Sequence, residues 1–224
     1  MTAAPAISLQ GIGKTFGRCR ALIDIDLNLP AGQRHALVGP NGSGKTTLLR
    51  LMGGRIAPES GTVVCLGRAW RTERRSLLPD VAYVAQTFSL YGELTIEENS
   101  RFVADLHGVA WKSRAVTRAL DAFGLSALRG RRADAVSVGV RQRLMLATAL
   151  MRLPKLLLLD EPTAALDQAS RALLLTEIDA AQIAGTTVVL TTHNAGDLES
   201  CDSVTALQGG RVLEHRTRAA RETD

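Results

Sequence analysis

The segment from Gly39 to Thr47 has the residue types and spacing of a phosphate-binding loop. It reads GPNGSGKTT, which satisfies G-x-x-x-x-G-K-[S/T], and it lies between an apolar run and a leucine-rich helical pattern. Glycines allow backbone N–H groups to curl around an anion, and the N-terminus of the following helix adds a favourable dipole. A chance match in a chain of this length is expected less than about once in a hundred. The motif therefore predicts a nucleotide site built from Gly39, Pro40, Asn41, Gly42, Ser43, Gly44, Lys45, Thr46 and Thr47.

Two side chains of this loop have predicted roles in phosphate chemistry. Lys45 is expected to reach the β and γ phosphates, and Thr46 is expected to offer its hydroxyl to Mg²⁺.

A second segment, LLLLDEP, places two adjacent carboxylates at the end of an apolar run. Such a run is typical of a parallel strand buried on both faces, and open α/β sheets bind ligands at the C-terminal ends of their strands. Asp160 is expected to hold Mg²⁺, commonly through water, and Glu161 to polarise an attacking water. Alone, this segment would be interpreted as a strand end with surface acids. Beside a phosphate loop, it favours metal-assisted phosphoryl transfer.

The elements that must position these residues alternate between strands and helices, which predicts an α/β fold with a mostly parallel sheet. Residues 96–107, 111–123 and 140–151 have helical spacing with no strand candidate between them, which predicts an inserted helical lobe. Strands are predicted at 7–9, 21–29, 36–38, 62–66, 81–84, 156–160 and 187–191 and near Val204 and Val212, and further helices at about 45–52, at about 168–184 and up to Ser200.

Composition limits the class of protein. The chain has 224 residues, 46% of them hydrophobic, and a formal net charge of +5. Its longest apolar runs fall far short of the ~20 residues that span a bilayer, and its N-terminus lacks the pattern of a secretion signal. These features predict a soluble cytoplasmic protein. Few aromatic residues and scattered arginines argue against nucleic-acid binding and suit a polyanionic ligand or a membrane surface.

The three cysteines are far apart and form no CxxC pair, so neither a zinc site nor a disulfide framework is indicated. Cys19, Cys65 and Cys201 are expected to be small buried hydrophobic residues.

The chain from about Ile7 to Leu213 resembles the ATP-binding cassette (ABC) family of ATPases, with six motifs in that family's order. Besides the phosphate loop and LLLLDEP, they are Gln86 after VAYV (the Q-loop), VSVGVRQR at 136–143 (the signature motif), Asp167 in ALD (the D-loop) and His193 in LTTHN (the switch histidine). Phe16, in KTFG, lies where the family stacks an aromatic ring on adenine. Each lesser motif alone has an ordinary structural interpretation, and its position relative to the two strong motifs raises its weight.

The resemblance implies a P-loop NTPase core with a mostly parallel sheet, an N-terminal antiparallel β-subdomain and an inserted helical lobe. We expect a single domain with its core at 1–86 and 153–215, the lobe at about 87–152 and a frayed tail at 216–224. It also implies that Gln86 senses Mg²⁺, that His193 donates to the γ-phosphate, and that Ser137, Gly139 and Asp167 belong to the nucleotide-binding set.

The signature stretch departs from the family's LSGGQ, since Val136, Val138 and Val140 replace its Leu, first Gly and Gln. Ser137 and the following helix N-terminus remain, and these are the groups that an anion would use. Val138 removes backbone freedom at one position, so weaker γ-phosphate binding or a slightly different loop path is expected.

The family's mechanism implies ATP and Mg²⁺ as ligands, a head-to-tail dimer, and an integral membrane permease on a separate chain. The protein would lie peripherally on the inner face of the cell membrane, and no nucleic-acid partner is expected. The segment 86–109 is similar to the family's exporter branch for drugs, lipids and polysaccharides, and Thr95 with Glu98 predicts a capping box. Four apolar residues of this segment are candidates for a permease-docking patch: Phe88, Leu90, Tyr91 and Leu94. The alternative interpretation is that they pack in the core of the lobe, which applies chiefly to Phe88 and Leu94.

Three alternatives remain at this point. A soluble ABC ATPase acting on DNA or ribosomes would usually need coiled-coil arms or a second cassette, and a regulatory cassette without hydrolysis would not need Lys45, Asp160, Glu161 and His193 together. The third, an ATPase of a haem exporter, has a cassette of similar length. Transported substrate, direction of transport, and homodimer or heterodimer are left open.

Overall fold

The computed structural model describes residues 5–87, 90–164 and 166–218. Most of its N-terminal strands form an antiparallel sheet of four strands. Its order is β2-β1-β4-β5. The strands are β1 (Pro5–Phe16), β2 (Cys19–Pro30), β4 (Ser60–Cys65) and β5 (Arg68–Ala69). The predicted alternation in β2 is confirmed from Ile25 to Leu29, where Ile25, Leu27 and Leu29 are buried and the polar residues between them are exposed. This sheet is the predicted antiparallel β-subdomain.

The second sheet has six strands in the described residues, and the predicted site lies at the C-terminal ends of its parallel strands. Its order is β10-β9-β3-β8-β7-β6; all neighbours pair in parallel except β10, which is antiparallel to β9. The strands are β3 (Arg34–Val38), β6 (Val81–Val84), β7 (Leu156–Asp160), β8 (Thr187–Thr191), β9 (Ser203–Gln208) and β10 (Arg211–Thr217). Every residue of β7 and β8 is buried, as expected for central parallel strands.

Helices cover the parallel sheet, and three of them form the inserted lobe. The core helices are α1 (Lys45–Met52), α2 (Trp70–Leu77), α6 (Gln168–Ile183) and α7 (Ala195–Leu198), and the lobe helices are α3 (Ile96–Leu106), α4 (Arg114–Ala122) and α5 (Val138–Leu150). The predicted capping box is confirmed at the start of α3, where the Thr95 hydroxyl accepts from the Glu98 N–H and the Glu98 carboxylate accepts from the Thr95 N–H at 2.8 Å.

Two buried clusters hold these layers together. One lies between the two sheets and includes Leu48 and Leu49 of α1, and the other joins the parallel sheet to the lobe through residues such as Phe123 and Leu144. No helix in the described ranges is both long and apolar enough to cross a membrane.

Several sequence expectations require correction. The polar helix α2 and the short strand β5 were not predicted, because α2 consists mostly of polar residues and buries only its two end residues. The tail prediction is wrong for Arg216 and Thr217, which pair with β9; residues 219–224 lie outside the described residues. Cys19 is exposed, unlike the buried Cys65 and Cys201, because it lies at the β1–β2 turn.

Candidate nucleotide site

The phosphate loop connects β3 to α1 and passes through positions where only glycine fits. Gly39 has φ +144°, and a Cβ there would lie 2.1 Å from the Leu207 carbonyl oxygen. Gly44 has φ +106° and caps α1, and a Cβ there would lie 2.6 Å from the Ala21 carbonyl oxygen. The spacing of glycines in the motif thus follows from left-handed backbone angles and close approach to neighbouring strands.

The polar side chains of the loop are turned inwards. The Lys45 ammonium is buried and donates to the carbonyl oxygens of Gly39, at 2.8 Å, and Pro40, at 3.2 Å. Ser43 is 2% exposed, and its hydroxyl has no hydrogen-bond partner among the described residues. A buried hydroxyl of this kind is costly to leave unpaired, so its position beside a cation and a helix N-terminus favours an oxyanion as its partner.

Asp160, at the end of β7, is the centre of a buried hydrogen-bond network. It is 2% exposed and accepts from the hydroxyls of Thr191 at 2.9 Å, Thr46 at 3.0 Å and Tyr83 at 3.3 Å. The network joins three strands of the sheet to the first turn of α1. Asp160 and Thr46, two of the three residues predicted to contact Mg²⁺ (the third is Gln86), are therefore in direct contact.

Glu161 and His193 form the second polar pair of the site. The Glu161 carboxylate lies 3.1 Å from the His193 Nε2 atom, and the two side chains are 12% and 51% exposed. Burial raises the pKa of Glu161 above its ordinary value, while the charges of His193 and Lys45 act in the opposite direction. Glu161 also has φ +51°, which is uncommon for a residue with a side chain, and its N–H donates to the Thr191 hydroxyl at 2.8 Å.

Glu161 and His193 line a cleft of about 510 Å³, and Asp160 and Thr191 lie buried beneath it. The cleft brings Phe16 and Gln86 together with the phosphate loop, Glu161 and His193. Phe16 is 49% exposed at the end of β1, with the Lys14 ammonium 5.3 Å from its ring centroid. An exposed ring at the mouth of a phosphate-binding cleft can stack on a base.

Two features of the cleft were not found from the sequence. Thr191 joins Asp160 to Glu161 through one hydroxyl, and the Cys19 thiol lines the cleft beside Phe16. The first had no signal, because a threonine in an apolar strand resembles any β-branched core residue.

Three predicted nucleotide-binding residues from outside the phosphate loop do not line the cleft of this chain. Ser137 caps α5 and accepts from the Val140 N–H at 3.3 Å, and Gly139 lies in the first turn of that helix. Asp167 caps α6, and hydrogen bonds from Ser170 lower the pKa of its carboxyl. All three residues lie at the N-termini of two helices that pack against each other, since the Cβ position of Gly139 is 3.5 Å from the Ser170 hydroxyl.

The candidate docking residues are divided between the lobe surface and its core. Tyr91 is 54% exposed and makes an edge-to-face contact with Phe102, which is itself exposed. Leu90 is partly buried and packs against the lobe cluster, which agrees with the alternative interpretation that it belongs to the lobe core. Leu94 is half-buried. Phe88 lies outside the described residues.

A family model described as "ABC transporter" matches residues 22–164. The chain is 33% identical over 213 residues to the probable multidrug ABC transporter ATP-binding protein YbhF of Escherichia coli, covering 94% of this chain and 37% of YbhF. It is 35% identical over 216 residues to the daunorubicin/doxorubicin resistance ATP-binding protein DrrA of Streptomyces peucetius, covering 95% and 65%. The chain thus spans less than two thirds of the length of either relative.

The fold matches that of a solved structure of the ATP-binding cassette MJ0796, a dimeric post-hydrolysis state bound to ADP and Pi. The TM-score is 0.87 and the sequence identity 25%, with 96% of this chain and 100% of the other covered. With the matched family model and these relatives, the chain belongs to the ABC transporter family, as an ATP-binding cassette.

Proposed function

We propose that this chain binds ATP with Mg²⁺, hydrolyses it as one half of a homodimer, and drives export by a separate membrane permease. The observation that carries the proposal is the contact between Glu161 and His193 at 3.1 Å, in the cleft that also contains Lys45 and Thr46. A base, a cation and a helix N-terminus around one cleft are the parts that phosphoryl transfer to water requires.

The donor atoms of the cleft fit Mg²⁺. The Thr46 hydroxyl and the Asp160 carboxylate are hard oxygen donors 3.0 Å apart, and Gln86 adds an amide oxygen at the same cleft. Mg²⁺ binds through few protein oxygens and completes its shell with water and phosphate oxygens, so a set of this size is sufficient. When bound, the ion neutralises negative charge on the β and γ phosphates. Thr46 and Asp160 would hold it, and Gln86 would contact it from the lobe side.

Hydrolysis would then depend on this chain's own side chains. Phosphates would replace the two loop carbonyls as partners of the Lys45 ammonium, and Ser43 would gain the partner that its buried hydroxyl lacks. Glu161 would accept the proton of the attacking water, and its raised pKa makes it a better base than an exposed glutamate. His193 would hold the Glu161 carboxylate and donate to the γ-phosphate.

A second subunit would complete the site. Ser137 and the N-terminus of α5 are exposed on the lobe and can supply a hydroxyl, backbone N–H groups and a helix dipole to an anion. They are not in the cleft of the same chain, so they can serve only a nucleotide held by a partner. The MJ0796 cassette is a dimer in its ADP and Pi state, which supports dimerisation. In the proposed head-to-tail arrangement, each subunit's Ser137 would face the nucleotide of the other.

The proposals on transport rest on the relatives and on the lobe surface. YbhF and DrrA are described as multidrug and drug-resistance ATP-binding proteins, and exposed Tyr91 and Phe102 offer an aromatic contact surface for a permease segment. The chain would then lie on the inner face of the membrane. A neighbouring reading frame for a polytopic permease would support export, and a neighbouring periplasmic binding protein would contradict it.

The substitution Glu161→Gln tests both the chemistry and the dimer. We expect the purified variant to lose ATPase activity by at least a hundredfold and to form a dimer with Mg-ATP, measured by sedimentation velocity. Glu93→Gln removes an exposed carboxylate from the lobe and is the matched control, with parental rates expected. Hydrolysis at the parental rate in Glu161→Gln would mean that Glu161 is not the base. Slow hydrolysis without dimerisation would support Glu161 as the base and contradict the proposed dimer.

A further inference from the structure

A second groove lies at the N-terminal ends of the parallel strands, whereas the nucleotide cleft lies at their C-terminal ends. It encloses about 720 Å³, within the range of about 300–1,000 Å³ typical of small-molecule sites. Lys155 and Thr186 line it, and these residues immediately precede β7 and β8. The nucleotide cleft is built at the other ends of the same two strands, so the groove is a separate site.

The walls of the groove are apolar and come from both parts of the domain. One wall is α4 with the end of α5, from the lobe, and the other is the last turns of α6, from the core. Alanines line both helices, which leaves an open trough between them: Ala115, Ala119 and Ala122 on α4, and Ala180, Ala181 and Ala184 at the end of α6. Leu153, at the rim, is 72% exposed, so a large apolar side chain faces this space without cover in the described structure.

Polar groups at the base of the trough already have partners. The Thr186 hydroxyl donates to the Pro154 carbonyl oxygen at 2.8 Å, and the N–H groups of Gly185 and Thr186 donate to carbonyls of α6. An extended peptide would need hydrogen-bond partners for its own backbone, which this surface does not offer. The trough therefore favours an alkyl chain over an extended peptide segment.

The rim carries an excess of positive charge. Arg114 and Arg118 are exposed, lie four residues apart on α4, and make no ion pair within residues 5–87, 90–164 and 166–218. Like charges at this spacing repel each other on a helix, and an anion placed between them would relieve that repulsion. Lys155 adds a third cation that pairs with Asp80 at 3.3 Å, and Glu177 is the carboxylate that lines the groove.

We propose that this groove binds a single-chain anionic amphiphile of the fatty-acid type. The alkyl tail would lie on the alanine-lined trough against Leu153, and the carboxylate would lie between Arg114 and Arg118. Since α4 belongs to the lobe and α6 to the core, the bound molecule contacts both parts of the domain at once.

Titration calorimetry with dodecanoate, below its micelle concentration, tests the site in the whole chain. We expect saturable binding of one molecule, about tenfold weaker in Arg114→Ala/Arg118→Ala and lost in Ala184→Trp, in which an indole fills the trough. Arg71→Ala/Arg75→Ala, which removes two exposed arginines four residues apart on α2, is the matched control and is expected to bind as the parent does. Dodecyltrimethylammonium, with the same tail and the opposite charge, is expected not to bind.

Photo-crosslinking of the parent protein locates the ligand without any substitution. A diazirine-bearing dodecanoate is expected to label peptides from α4 and α6. Absence of saturable binding, labelling elsewhere, or equal affinity for the cationic amphiphile would each overturn the proposal, and so would unchanged binding in a folded Ala184→Trp variant.

Discussion

Thr191→Val removes a hydroxyl that connects the two acidic residues of the nucleotide site. In the parent protein this hydroxyl donates to the Asp160 carboxylate at 2.9 Å and accepts from the Glu161 N–H at 2.8 Å. Valine has nearly the same shape and suits a β-strand, so the substitution removes hydrogen bonds without leaving a large cavity. The side chain of Thr191 is fully buried, and water cannot replace it as a partner.

The expected loss of stability follows from these two contacts. A hydrogen bond to a charged group contributes about 1.5–3 kcal/mol, and a backbone bond about 0.5–1.5 kcal/mol. Asp160 keeps its bonds from Thr46 and Tyr83, so the total lies between about 2 and 4 kcal/mol. For a domain of this length, that free energy lowers the melting temperature by about 4–16 °C.

The same substitution is expected to reduce catalysis more than its effect on stability alone would. Glu161 has a left-handed backbone conformation, and the Thr191 hydroxyl is the hydrogen-bond partner of its N–H. A displacement of the proposed base by about 1 Å costs up to about a hundredfold in rate, so we expect kcat to fall by about 10–100-fold with little change in KM for ATP. The assay is steady-state phosphate release by purified protein, at a temperature well below the melting point of the variant.

Two further variants separate positioning from general destabilisation. Thr187→Val, at the other end of the same strand, removes the bond that the Gly32 N–H donates at 2.9 Å, and is expected to cost about 1 kcal/mol with kcat unchanged. Thr191→Ser keeps the hydroxyl and is expected to restore most of kcat. If Thr191→Val has parental kcat and melting temperature, or if the serine variant is as slow as the valine variant, Thr191 does not position Glu161.

Two more predictions follow from ionisable groups. Burial raises the pKa of Cys65 to about 12 and of Cys201 to about 11, whereas Cys19 is exposed in the nucleotide cleft. At pH 8, N-ethylmaleimide should therefore modify Cys19 rapidly and the other two slowly, and Mg-ATP should slow the fast reaction; equal rates with and without ATP, by mass spectrometry, would contradict the placement of this thiol. The raised pKa of Glu161 means that the folded state binds its proton more tightly than the unfolded state, so this group's contribution to stability decreases as pH rises from about 4.5 through the raised value. Glu161→Gln should accordingly melt above the parent at pH 7.5, with a smaller difference at pH 5 by scanning fluorimetry, and a difference independent of pH would refute the cause.

The sequence was sufficient for those parts of the fold and site that depend on contiguous residues. The run that became β7 and the helix that became α1 have the predicted bounds, because an unbroken apolar strand and a glycine-capped helix are local signals. The phosphate loop was predictable for the same reason, since Gly39 and Gly44 are required by backbone angles within the loop itself.

Features that depend on tertiary contacts were not predictable. The antiparallel pairing of Arg216 and Thr217 with β9 is supplied by the neighbouring strand, and their own sequence is polar and without periodicity. The roles of Thr191 and Tyr83 arise only when three parallel strands bring their C-terminal ends to Asp160. The alanine-lined groove between α4 and α6 is likewise formed by helices from two distant segments, and no motif of the chain indicates it.

Val138, in the altered signature motif, is expected to affect the proposed dimer and not its own subunit. Val138 starts α5 in a helical conformation that needs no glycine, and Ser137 still caps the helix, so nothing within the subunit requires a changed loop path. The Cβ position of Gly139 is likewise in ordinary contact with the Ser170 hydroxyl. Neither position requires glycine within the subunit. Val138 is 39% exposed on the helix end that would face a partner's nucleotide in the proposed dimer. We therefore expect any cost of this residue to fall on closure of the proposed dimer, with folding and nucleotide binding by the single chain unaffected.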